Sequence, residues 1–555
     1  MLQRIGLYLR TIRYLRPVQI GSRILLRLQR PRLNFAPAPN VRQGRRIWVR
    51  PAARRQSLFE GNRFCFLNEE AWLQDIGWDG DFPEKLWRYN QHYFDDLNAA
   101  HAPQRRDWHQ SLIEDWLRHN PAAEGTGWEP YPTSLRIINW VKWALSGHQL
   151  DGAMHHSLAV QARWLMQRIE WHILGNHLFA NAKALIFASL YFEGDEADRW
   201  WERGSSILIE QIDEQILPDG GQFERSSMYH ALAIEDVLDL INVMREYDGH
   251  RHEKYQDLLK RLERRIPAML QWLAAISHPD GDIAFFNDAA IGIAPSNDEI
   301  LAYAARLGFD GPGPLPAAIH LEDSGYFSLR RCSATLIVDA APVGPDYLPG
   351  HAHADTLSFE LSVGKERIIV NGGTSVYGNG PERLRQRGTS AHSTLMLDNL
   401  DSSEVWSGFR VGRRAKILHA SMADLSDRTT VEAAHDGYRH LPGFPVHRRS
   451  WTLQAGRLQL VDLVQGDGMH EAAILFHFPS SLKLTLSEAR DQVTVFSASG
   501  RRLAELTVSQ HATANLVDSS WQPEFGISEP SSCLRIEISG ALPLRHETII
   551  SWNDA

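Results

Sequence analysis

The sequence predicts an α+β protein with two separately packed halves, a helical half followed by an antiparallel β-sandwich. Across residues 56–310, apolar residues recur at i, i+3 or i+4, and i+7 spacing, which is typical of amphipathic helices. Glycine and proline then accumulate in "LGFDGPGPLPAAIHLEDSG", and short runs of alternating apolar residues follow. Because the strands come after the helices instead of alternating with them, we do not expect a βαβ fold.

The helical half is rich in tryptophan and leucine. Its clearest helical segments are "SLRIINWVKWALSG", "LAVQARWLMQRIEWHI", "HLFANAKALIFASLYF" and "HALAIEDVLDLINVMREY". The strands predicted after it are "GYFSLR", "ATLIVDA", "TLSFELSV", "RIIVNGG", "STLMLD", "RRSWTLQA", "LQLVDLVQ", "AAILFHFP" and "QVTVFSA". Many short strands bounded by turn residues favour a sandwich. We therefore divide the chain into a basic arm (1–55), a helical domain (56–310) and a sandwich domain (320–555).

Composition narrows the class of protein. The three cysteines of the 555 residues are far apart, which argues against a disulfide framework and against a thiolate zinc site. No stretch approaches the roughly 20 apolar residues that span a bilayer. Arginine interrupts the N-terminal segment too often for a signal peptide. The expected location is therefore cytoplasmic or at a membrane surface, with the periplasm left open. The sequence leaves the oligomeric state undetermined.

The arm is strongly basic, with 14 arginines and no lysine, aspartate or glutamate in residues 1–55. Apolar residues recur at helical spacing, at Leu2, Ile5, Leu9 and Ile12, and arginines lie among and after them, at Arg4, Arg10, Arg13 and Arg16. This pattern fits a helix on an anionic membrane surface, and equally a helix docked on the protein's own acidic body. We do not expect nucleic-acid binding, because no zinc-finger spacing or RNA-recognition motif accompanies the arm.

The stretch "LPGHAHADTLSFEL" places His351, His353 and Asp355 at i, i+2 and i+4. In a strand these side chains would share one face. Further along, Asn371 opens a turn and His392 enters another predicted strand. Two imidazoles and an oxygen ligand suit zinc, but the spacing is weakly specific. A metal site, a catalytic base and a polar strand edge all remain open from the pattern alone.

Two predicted helix starts in the helical half carry polar residues. Asn176 and His177 open one of them, and Tyr229 and His230 lie at the next. Helix N-termini present free N–H groups that favour an anionic group nearby. The simpler interpretation is an N-cap in the first case, and a serine cap followed by a packed aromatic ring in the second.

Aromatic and polar side chains interleave in "LWRYNQHYFDDL" and "WEPYPTSLRIINW". Such a mixture suits a sugar-binding cleft, because sugar rings stack on aromatic rings while amides and arginines bind hydroxyl and carboxylate groups. Tryptophan and tyrosine also simply fill cores. The substrate-binding candidates from this group are Asn90, His92, Trp128, Tyr131 and Arg136.

Several longer motifs, in this order, resemble the heparinase II/III-like polysaccharide lyases and the alginate lyases that share their architecture. Besides those above they include "GNHLFANAKAL", "DGGQFERSSMYH", "HPDGDIAFFND", "NGGTSVYGNGPERLRQRGTSAHST", "SGFRVGRRAK" and "HDGYRHLPG". The resemblance implies an incomplete (α/α) toroid of helical hairpins, then the antiparallel β-sandwich, with the active cleft between them. It also implies β-elimination on a uronic-acid-containing polysaccharide.

Carried onto this sequence, the resemblance implies catalytic roles for Asn176, His177, Tyr229 and His351. A structural metal, usually zinc, would fall on His353, Asn371 and His392. Asn371 departs from the family pattern, which typically has aspartate there; Asp355 is the candidate to replace it or to orient an imidazole. Arg387 is a plausible carboxylate anchor, with Arg136, Arg225 and His230 as further candidates.

The implied chemistry explains these residue types. The proton on carbon 5 of a uronate is weakly acidic, so its removal requires neutralisation of the adjacent carboxylate, by Asn176 with His177. Tyr229 could act as base and then acid if its phenol pKa, normally about 10, were lowered. His351 would be a partner base or a carboxylate clamp, and the sequence leaves this choice, the uronate and endo or exo action open.

Two other functions remain open at this point. One is a non-catalytic protein that binds or assembles acidic polysaccharide on the lyase scaffold, associated with bacterial surface polysaccharide biosynthesis. The other is hydrolysis by two carboxylates, for which Glu224 with Asp219 or Asp288 would be the pair.

Overall fold

The computed structural model describes residues 2–81, 84–247, 253–509 and 511–554. Within them, helices fill the first half of the chain and antiparallel sheets the second, as predicted. The helices are α1 Leu2–Ile12, α2 Pro17–Leu28, α3 Leu73–Ile76, α4 Lys85–Tyr93, α5 Arg106–His119, α6 Pro130–Leu145, α7 Gly152–Gln167, α8 Gly175–Tyr191, α9 Asp195–Gln215, α10 Ser227–Glu246, α11 Glu253–Ala275, α12 Asn297–Arg306 and α13 Pro381–Arg387.

The strands are β1 Leu58–Phe59, β2 Arg63–Phe66, β3 Glu69–Trp72, β4 Ala318–Leu321, β5 Tyr326–Arg331, β6 Ala334–Asp339, β7 Phe359–Val363, β8 Glu366–Ile369, β9 Leu395–Leu397, β10 Val405–Trp406, β11 Arg410–Val411, β12 Ile417–Asp424, β13 Arg428–His435, β14 Val446–Gln454, β15 Arg457–Gln465, β16 Met469–His477, β17 Lys483–Leu486, β18 Gln492–Phe496, β19 Arg502–Val508, β20 Thr513–Trp521, β21 Glu529–Ala541 and β22 Leu544–Ser551. Each of the nine predicted strand segments overlaps one of these strands.

Helix α8 lies at the centre of the helical half. All of its residues from Leu178 to Tyr191 are buried, and α8 packs against α6, α7, α9 and α10. Gly204 of α9 lets the two backbones approach, since a Cβ there would lie 3.0 Å from the Ala182 carbonyl oxygen. A helix apolar on all sides is one that other helices surround.

The second half is a sandwich of three main sheets. An eight-stranded sheet has the order β12-β13-β14-β15-β22-β19-β18-β17, and it faces a five-stranded sheet, β4-β5-β6-β7-β8, and a four-stranded sheet, β20-β21-β16-β9. Burial alternates along β14 and β15, so that Trp451 and Leu458 point inward. These residues form one apolar core with Phe359, Phe476 and Leu534 of the opposite sheets.

The two halves meet where α11 packs on β4–β6. Trp272 of α11 is fully buried with Phe286 and Tyr326, and its indole N–H donates to the Ser324 hydroxyl at 2.9 Å. This contact fixes the loop between α11 and α12 against the start of the sandwich. The same loop carries Asp288, which organises the site described below.

The prediction of a strand over the HAHAD stretch is wrong. Residues 348–357 form a loop, and β7 begins only at Phe359. The backbone N–H groups here donate outside a strand ladder: that of His353 to Asn287 Oδ1 at 3.1 Å, and that of Ala354 to the Arg387 carbonyl at 2.9 Å. Contacts that are distant in sequence therefore override the alternating pattern.

A network of buried charges joins α6, α8 and α10. Lys183 Nζ lies 2.8 Å from Asp239 Oδ2 and 2.7 Å from Asp236 Oδ1, and Lys142 Nζ lies 3.0 Å from Asp239 Oδ2. Burial alone would raise the pKa of Asp239, but the two lysines lower it to about 2. Asp239 is therefore ionised, and its charge is compensated by two cations.

Replacing this buried carboxylate should be costly. We expect Asp239→Asn to lower the free energy of unfolding by about 3–5 kcal/mol, because it leaves buried lysine charge uncompensated. Urea denaturation followed by circular dichroism measures this. Asp257→Asn, which breaks the exposed ion pair with Arg261, is the matched control and should change little. Equal effects of the two substitutions would contradict the assignment.

Candidate active site

A single buried carboxylate, that of Asp288, holds the loops of both halves together. It accepts hydrogen bonds from His351 Nδ1 at 2.8 Å and from His353 Nε2 at 2.7 Å. Arg383 of α13 donates to both of its oxygens, with Nη2 at 2.7 Å. Burial would raise the pKa of Asp288, but Arg383 and the two histidines hold it well below its usual value. Asp288 is therefore an anion with fixed partners.

An imidazole and two phenols lie together beside Asp288. The ring centroids of Tyr229 and His351 are 4.0 Å apart. The Tyr377 hydroxyl lies 3.0 Å from that of Tyr229 and 3.4 Å from His351 Nδ1. His351 and Tyr229 are both half-buried, so each is partly exposed to solvent.

The cap of α10 sets the position of Tyr229. Ser226 is the N-cap residue, and its hydroxyl accepts from the Tyr229 backbone N–H at 3.1 Å. The same hydroxyl donates to the backbone carbonyl of Asp288. The predicted serine cap is thus confirmed, and it also ties the phenol to the loop that holds the imidazole.

The surroundings of Tyr229 shift its pKa in the direction opposite to the one that the sequence-based mechanism required. Burial, Tyr377 and the Asp288 anion raise the pKa of Tyr229 well above its usual value. The neighbouring cation, Arg383, is already paired with Asp288. Tyr229 is therefore protonated at neutral pH.

The other side of the His351 ring faces Glu224. With Nδ1 bonded to Asp288, Nε2 carries the lone pair, and it lies 3.8 Å from Glu224 Oε2. Within the described residues, Glu224 Oε2 has no hydrogen-bond partner. Burial raises the pKa of Glu224, although His351 opposes this shift.

Asn176 and His177 lie in the first turn of α8. The N-cap residue is Leu174 and makes no side-chain cap, so the N-cap interpretation of Asn176 is wrong. His177 Nδ1 lies 3.1 Å from Glu170 Oε1, and its ring packs against Tyr131 with centroids 4.4 Å apart. Burial would lower the pKa of His177, but Glu170 raises it.

One small cavity brings together three of the predicted residues of the helical half. It measures about 70 Å³, and Asn176, Tyr131 and Tyr229 all line it, with Arg54 and Asp236 among the other lining residues. Gly175 allows α8 to start here: its φ is +56°, and a Cβ would lie 2.2 Å from Leu348 of the loop before His351.

Most of the other predicted substrate-binding residues lie in the interior instead. The Arg387 guanidinium is fully buried and donates to backbone carbonyls, including that of Ala352 at 2.8 Å. Burial and the neighbouring Arg383 lower its pKa to about 9. Contrary to the prediction, Arg387 shapes the loop that carries His351 and does not face the cleft.

The aromatic group of the helical half also forms core. Arg136 is fully buried against Trp116, with its guanidinium 4.0 Å from the ring centroid, and donates to the Gly127 carbonyl at 2.8 Å. His92 is held between Trp78 and Trp116, and burial with the Arg136 charge lowers its pKa to about 3. Trp128 is buried and donates to the Asn120 carbonyl at 3.2 Å. The core-filling alternative is correct for these three.

The remaining candidates also have structural partners. His230 is buried on Trp272 and bonds the Met269 carbonyl at 2.9 Å. Arg225 Nε donates to the Ser324 carbonyl at 3.0 Å, and Asn90 donates within α4 to the Leu86 carbonyl at 2.8 Å. Of the eight substrate-binding candidates, Tyr131 lines the cavity with Asn176 and Tyr229.

Two residues of this site were not identified by sequence reasoning, Tyr377 and Arg383. Tyr377 lies in a glycine-rich turn, where an aromatic residue is unusual enough to be a signal. Arg383 is four residues before Arg387, on the same face of α13. Both arginines are visible in the sequence, but only the fold shows that Arg383, and not Arg387, bonds Asp288.

The predicted metal ligands offer an incomplete donor set. His353 Nδ1 and His392 Nε2 lie 3.2 Å apart, a separation that suits either one hydrogen bond or two ligands of one ion. Asn371 contributes only a neutral amide, whose oxygen already accepts from the Ser393 N–H at 3.0 Å. Asp355 binds the Asn287 N–H at 2.9 Å instead. The described residues contain no group of three or more His, Cys, Asp or Glu placed to hold a metal ion. The set does not fit the zinc site that the resemblance implies.

Hydrolysis would need a second carboxylate beside Glu224, and both candidates for it are engaged. Both oxygens of Asp288 are bonded, and Asp219 Oδ2 accepts from the Ser324 N–H at 2.7 Å. A general base or nucleophile needs a free oxygen at the cleft. The site does not favour hydrolysis.

Elemental analysis of the purified protein tests the metal. We expect less than one zinc per chain, because a neutral amide replaces the carboxylate that zinc prefers. Asn371→Asp should raise the zinc content towards one per chain, and Asn371→Ala should not. One zinc per wild-type chain would contradict the conclusion drawn from the donor set.

Comparison with known proteins agrees with this architecture. A family model for the heparinase II/III N-terminus matches residues 88–302, and a second, heparinase II/III-like, C-terminal, matches residues 313–553. A heparin-sulfate lyase of Bacteroides stercoris is 30% identical over 255 residues, which are 41% of this chain and 37% of that protein. A heparin-sulfate lyase of Pedobacter heparinus is 29% identical over 249 residues, 40% of this chain and 36% of that protein. The match thus spans little more than a third of these curated relatives.

Solved structures share the fold over a longer part of the chain. The crystal structure of heparinase III superposes with a TM-score of 0.68 at 17% identity and covers 95% of this chain and 87% of that chain. A heparan sulfate lyase from Pedobacter heparinus gives a TM-score of 0.57 at 20% identity, with 88% and 80% covered. The two family models follow each other along most of the chain, and the helical toroid and the sandwich follow each other in the structure. The chain belongs to the heparinase II/III-like family.

Proposed function

We propose that this protein is a polysaccharide lyase that cleaves an acidic, uronate-containing polysaccharide by β-elimination. The observation that carries the proposal is the contact between a protonated phenol, Tyr229, and an imidazole, His351, whose Nδ1 is bonded to a buried carboxylate. The cavity shared by Tyr229 and Asn176 supports it. The relatives named heparin-sulfate lyases support the same class of substrate.

The first requirement of β-elimination is neutralisation of the uronate carboxylate. The pKa of His177 is raised by Glu170, so the imidazole carries positive charge over a wider pH range than a free histidine does. The Asn176 amide lies beside it in the first turn of α8. A cation and an amide N–H would stabilise the negative charge that develops as the carbon 5 proton leaves.

His351 is the base that we propose. Asp288 at Nδ1 fixes the tautomer, so that Nε2 has the free lone pair. The Asp288 anion also stabilises the imidazolium that forms when Nε2 accepts the proton. The raised pKa of Tyr229 argues against a phenolate base in the resting site.

Tyr229 is the acid that we propose. Its high pKa keeps the proton available for the glycosidic oxygen as the bond to the leaving sugar breaks. The Tyr377 hydroxyl, 3.0 Å away, can donate to the phenolate that results. The Tyr377 hydroxyl also lies 3.4 Å from His351 Nδ1, so it contacts both proposed catalytic groups.

Loss of the phenol tests the assignment. Tyr229→Phe should lower turnover by at least about 10²-fold, since it removes the general acid. The assay is the ultraviolet absorbance of the unsaturated uronate product, on a panel of glucuronate, iduronate, mannuronate and galacturonate polymers. Tyr191→Phe, which removes a hydroxyl bonded to His155, is the control. Full turnover by Tyr229→Phe on a polymer that the wild type cleaves would refute the mechanism.

The charge on His177 predicts a pH dependence of binding. Affinity for an acidic oligosaccharide should be greatest below the pKa of His177 and fall as the pH rises through it. Glu170→Gln removes the carboxylate that raises this pKa, so the fall should begin at lower pH. Calorimetric titration over a pH series, in an inactive Tyr229→Phe background, measures the shift. An unchanged profile would show that His177 does not carry the charge that binds the substrate.

A further inference from the structure

The N-terminal arm exposes the apolar faces of its helices. In α1, the residues at i, i+3, i+4 and i+7 are Ile5, Tyr8, Leu9 and Ile12, and they are 49%, 45%, 65% and 47% exposed. In α2, the exposed apolar residues include Ile20, Ile24, Leu25 and Leu28, and Leu28 reaches 74%. The side chains of Leu2 and Arg4 lie outside the described part. An amphipathic helix on a globular protein ordinarily buries this stripe.

The polar side of the arm holds it in this orientation. Arg10 of α1 donates to both oxygens of Glu404, at 2.8 and 2.6 Å, and so reaches the sandwich half. Arg16 is paired with Glu214 of the helical half, and its guanidinium lies 3.7 Å from the centroid of the Tyr347 ring. Docking on the protein's own acidic body is thus the correct interpretation for the inner face. This docking leaves the apolar faces of α1 and α2 pointing outward.

The exposed charge of the arm is positive. The side chains of Arg13, Arg23, Arg27 and Arg30 are exposed, and within the described residues none of them forms an ion pair with a carboxylate. Residues 1–55 carry +14, whereas the chain as a whole carries −9, so the remaining residues carry −23. An anionic surface would attract the arm and repel the body, which fixes one orientation.

A pocket beside α2 combines apolar surface with positive charge. It measures about 380 Å³, and its apolar lining includes Leu25, Leu26, Met166, Ile169 and Trp171. Two arginines, Arg30 and Arg203, also line it, and the Arg203 guanidinium lies 5.4 Å from the centroid of the Trp171 ring. An apolar floor bordered by guanidinium groups suits an amphiphile with an anionic head group.

We propose that α1 and α2 dock this protein on an anionic lipid bilayer. The outward stripes enter the boundary between head groups and acyl chains, and the exposed arginines bind the lipid phosphates. The pocket beside α2 accepts one anionic lipid. Among the described residues no helix is long and apolar enough to cross a membrane. This proposal stands independently of the proposed lyase activity.

Vesicle flotation of the full chain tests the proposal. We expect the protein to float with vesicles of phosphatidylcholine mixed with phosphatidylglycerol and to stay behind with phosphatidylcholine alone. Added salt should release it, because screening weakens the arginine contacts. The variant Leu9→Asp, Ile24→Asp, Leu28→Asp should lower the bound fraction at least about tenfold. Its circular dichroism should match the wild type, since all three side chains are exposed.

Two further variants sharpen the test. Leu418→Asp with Met469→Asp changes side chains that are 49% and 72% exposed on the sandwich, and should float like the wild type. Arg30→Gln with Arg203→Gln should reduce binding to the anionic vesicles. Wild-type protein that does not float, or equal flotation of the arm variant, would overturn the proposal. Dimerisation by light scattering that the arm variant abolishes, without vesicle binding, would assign the stripes to a second copy of the chain and overturn it as well.

Discussion

The arrangement of the site depends on one buried carboxylate. Asp288 lies in a loop between two helices of the first half, yet the side chains that bond its carboxylate come from the second half, among them His351, His353 and Arg383. A buried anion without these partners would be strongly unfavourable, so the loops that supply them must come to it. The carboxylate therefore fixes the imidazole, and through Ser226 also the phenol, in one geometry. Folding and the proposed catalysis would therefore depend on the same group.

Burial then separates the roles of the acid and the base. The environment raises the pKa of Tyr229 and of Tyr377, which keeps both phenols protonated. The same environment leaves His351 with one nitrogen bonded to Asp288 and the other free. The proposed acid and base are therefore neighbouring groups. Tyr229 keeps its proton because the Asp288 anion lies nearby, whereas His351 is bonded to that anion and can accept a proton. On the helical side, Glu170 raises the pKa of His177, whose positive charge is the one proposed to bind a uronate carboxylate.

The N-terminal arm differs in charge from the rest of the chain. Its arginines divide into those that bind the body, Arg10 and Arg16, and those that remain exposed. The body is acidic and would be repelled from an anionic surface, as it would be from an acidic polysaccharide outside the cleft. In the two proposals, attraction to anions would lie in two places, the arm and the cleft. A membrane-docked arm would hold the cleft at a constant orientation to the bilayer.

The sequence alone determined the order of helices and strands, the family, the serine cap of α10 and the basic arm. It also predicted Asn176, His177, Tyr229 and His351 as candidate catalytic residues. These follow from local periodicity, local charge and ordered motifs, which a short window contains. Only the tertiary structure decided that the HAHAD stretch is a loop, that Arg387, Arg136 and His92 are interior, and that Tyr377, Arg383 and Asp288 complete the site. Asp288 and Arg383 are 95 residues apart in the chain. Burial and contacts between residues distant in sequence depend on how the whole chain folds. They set both the pKa of Tyr229 and the metal-ligand atoms available around Asn371.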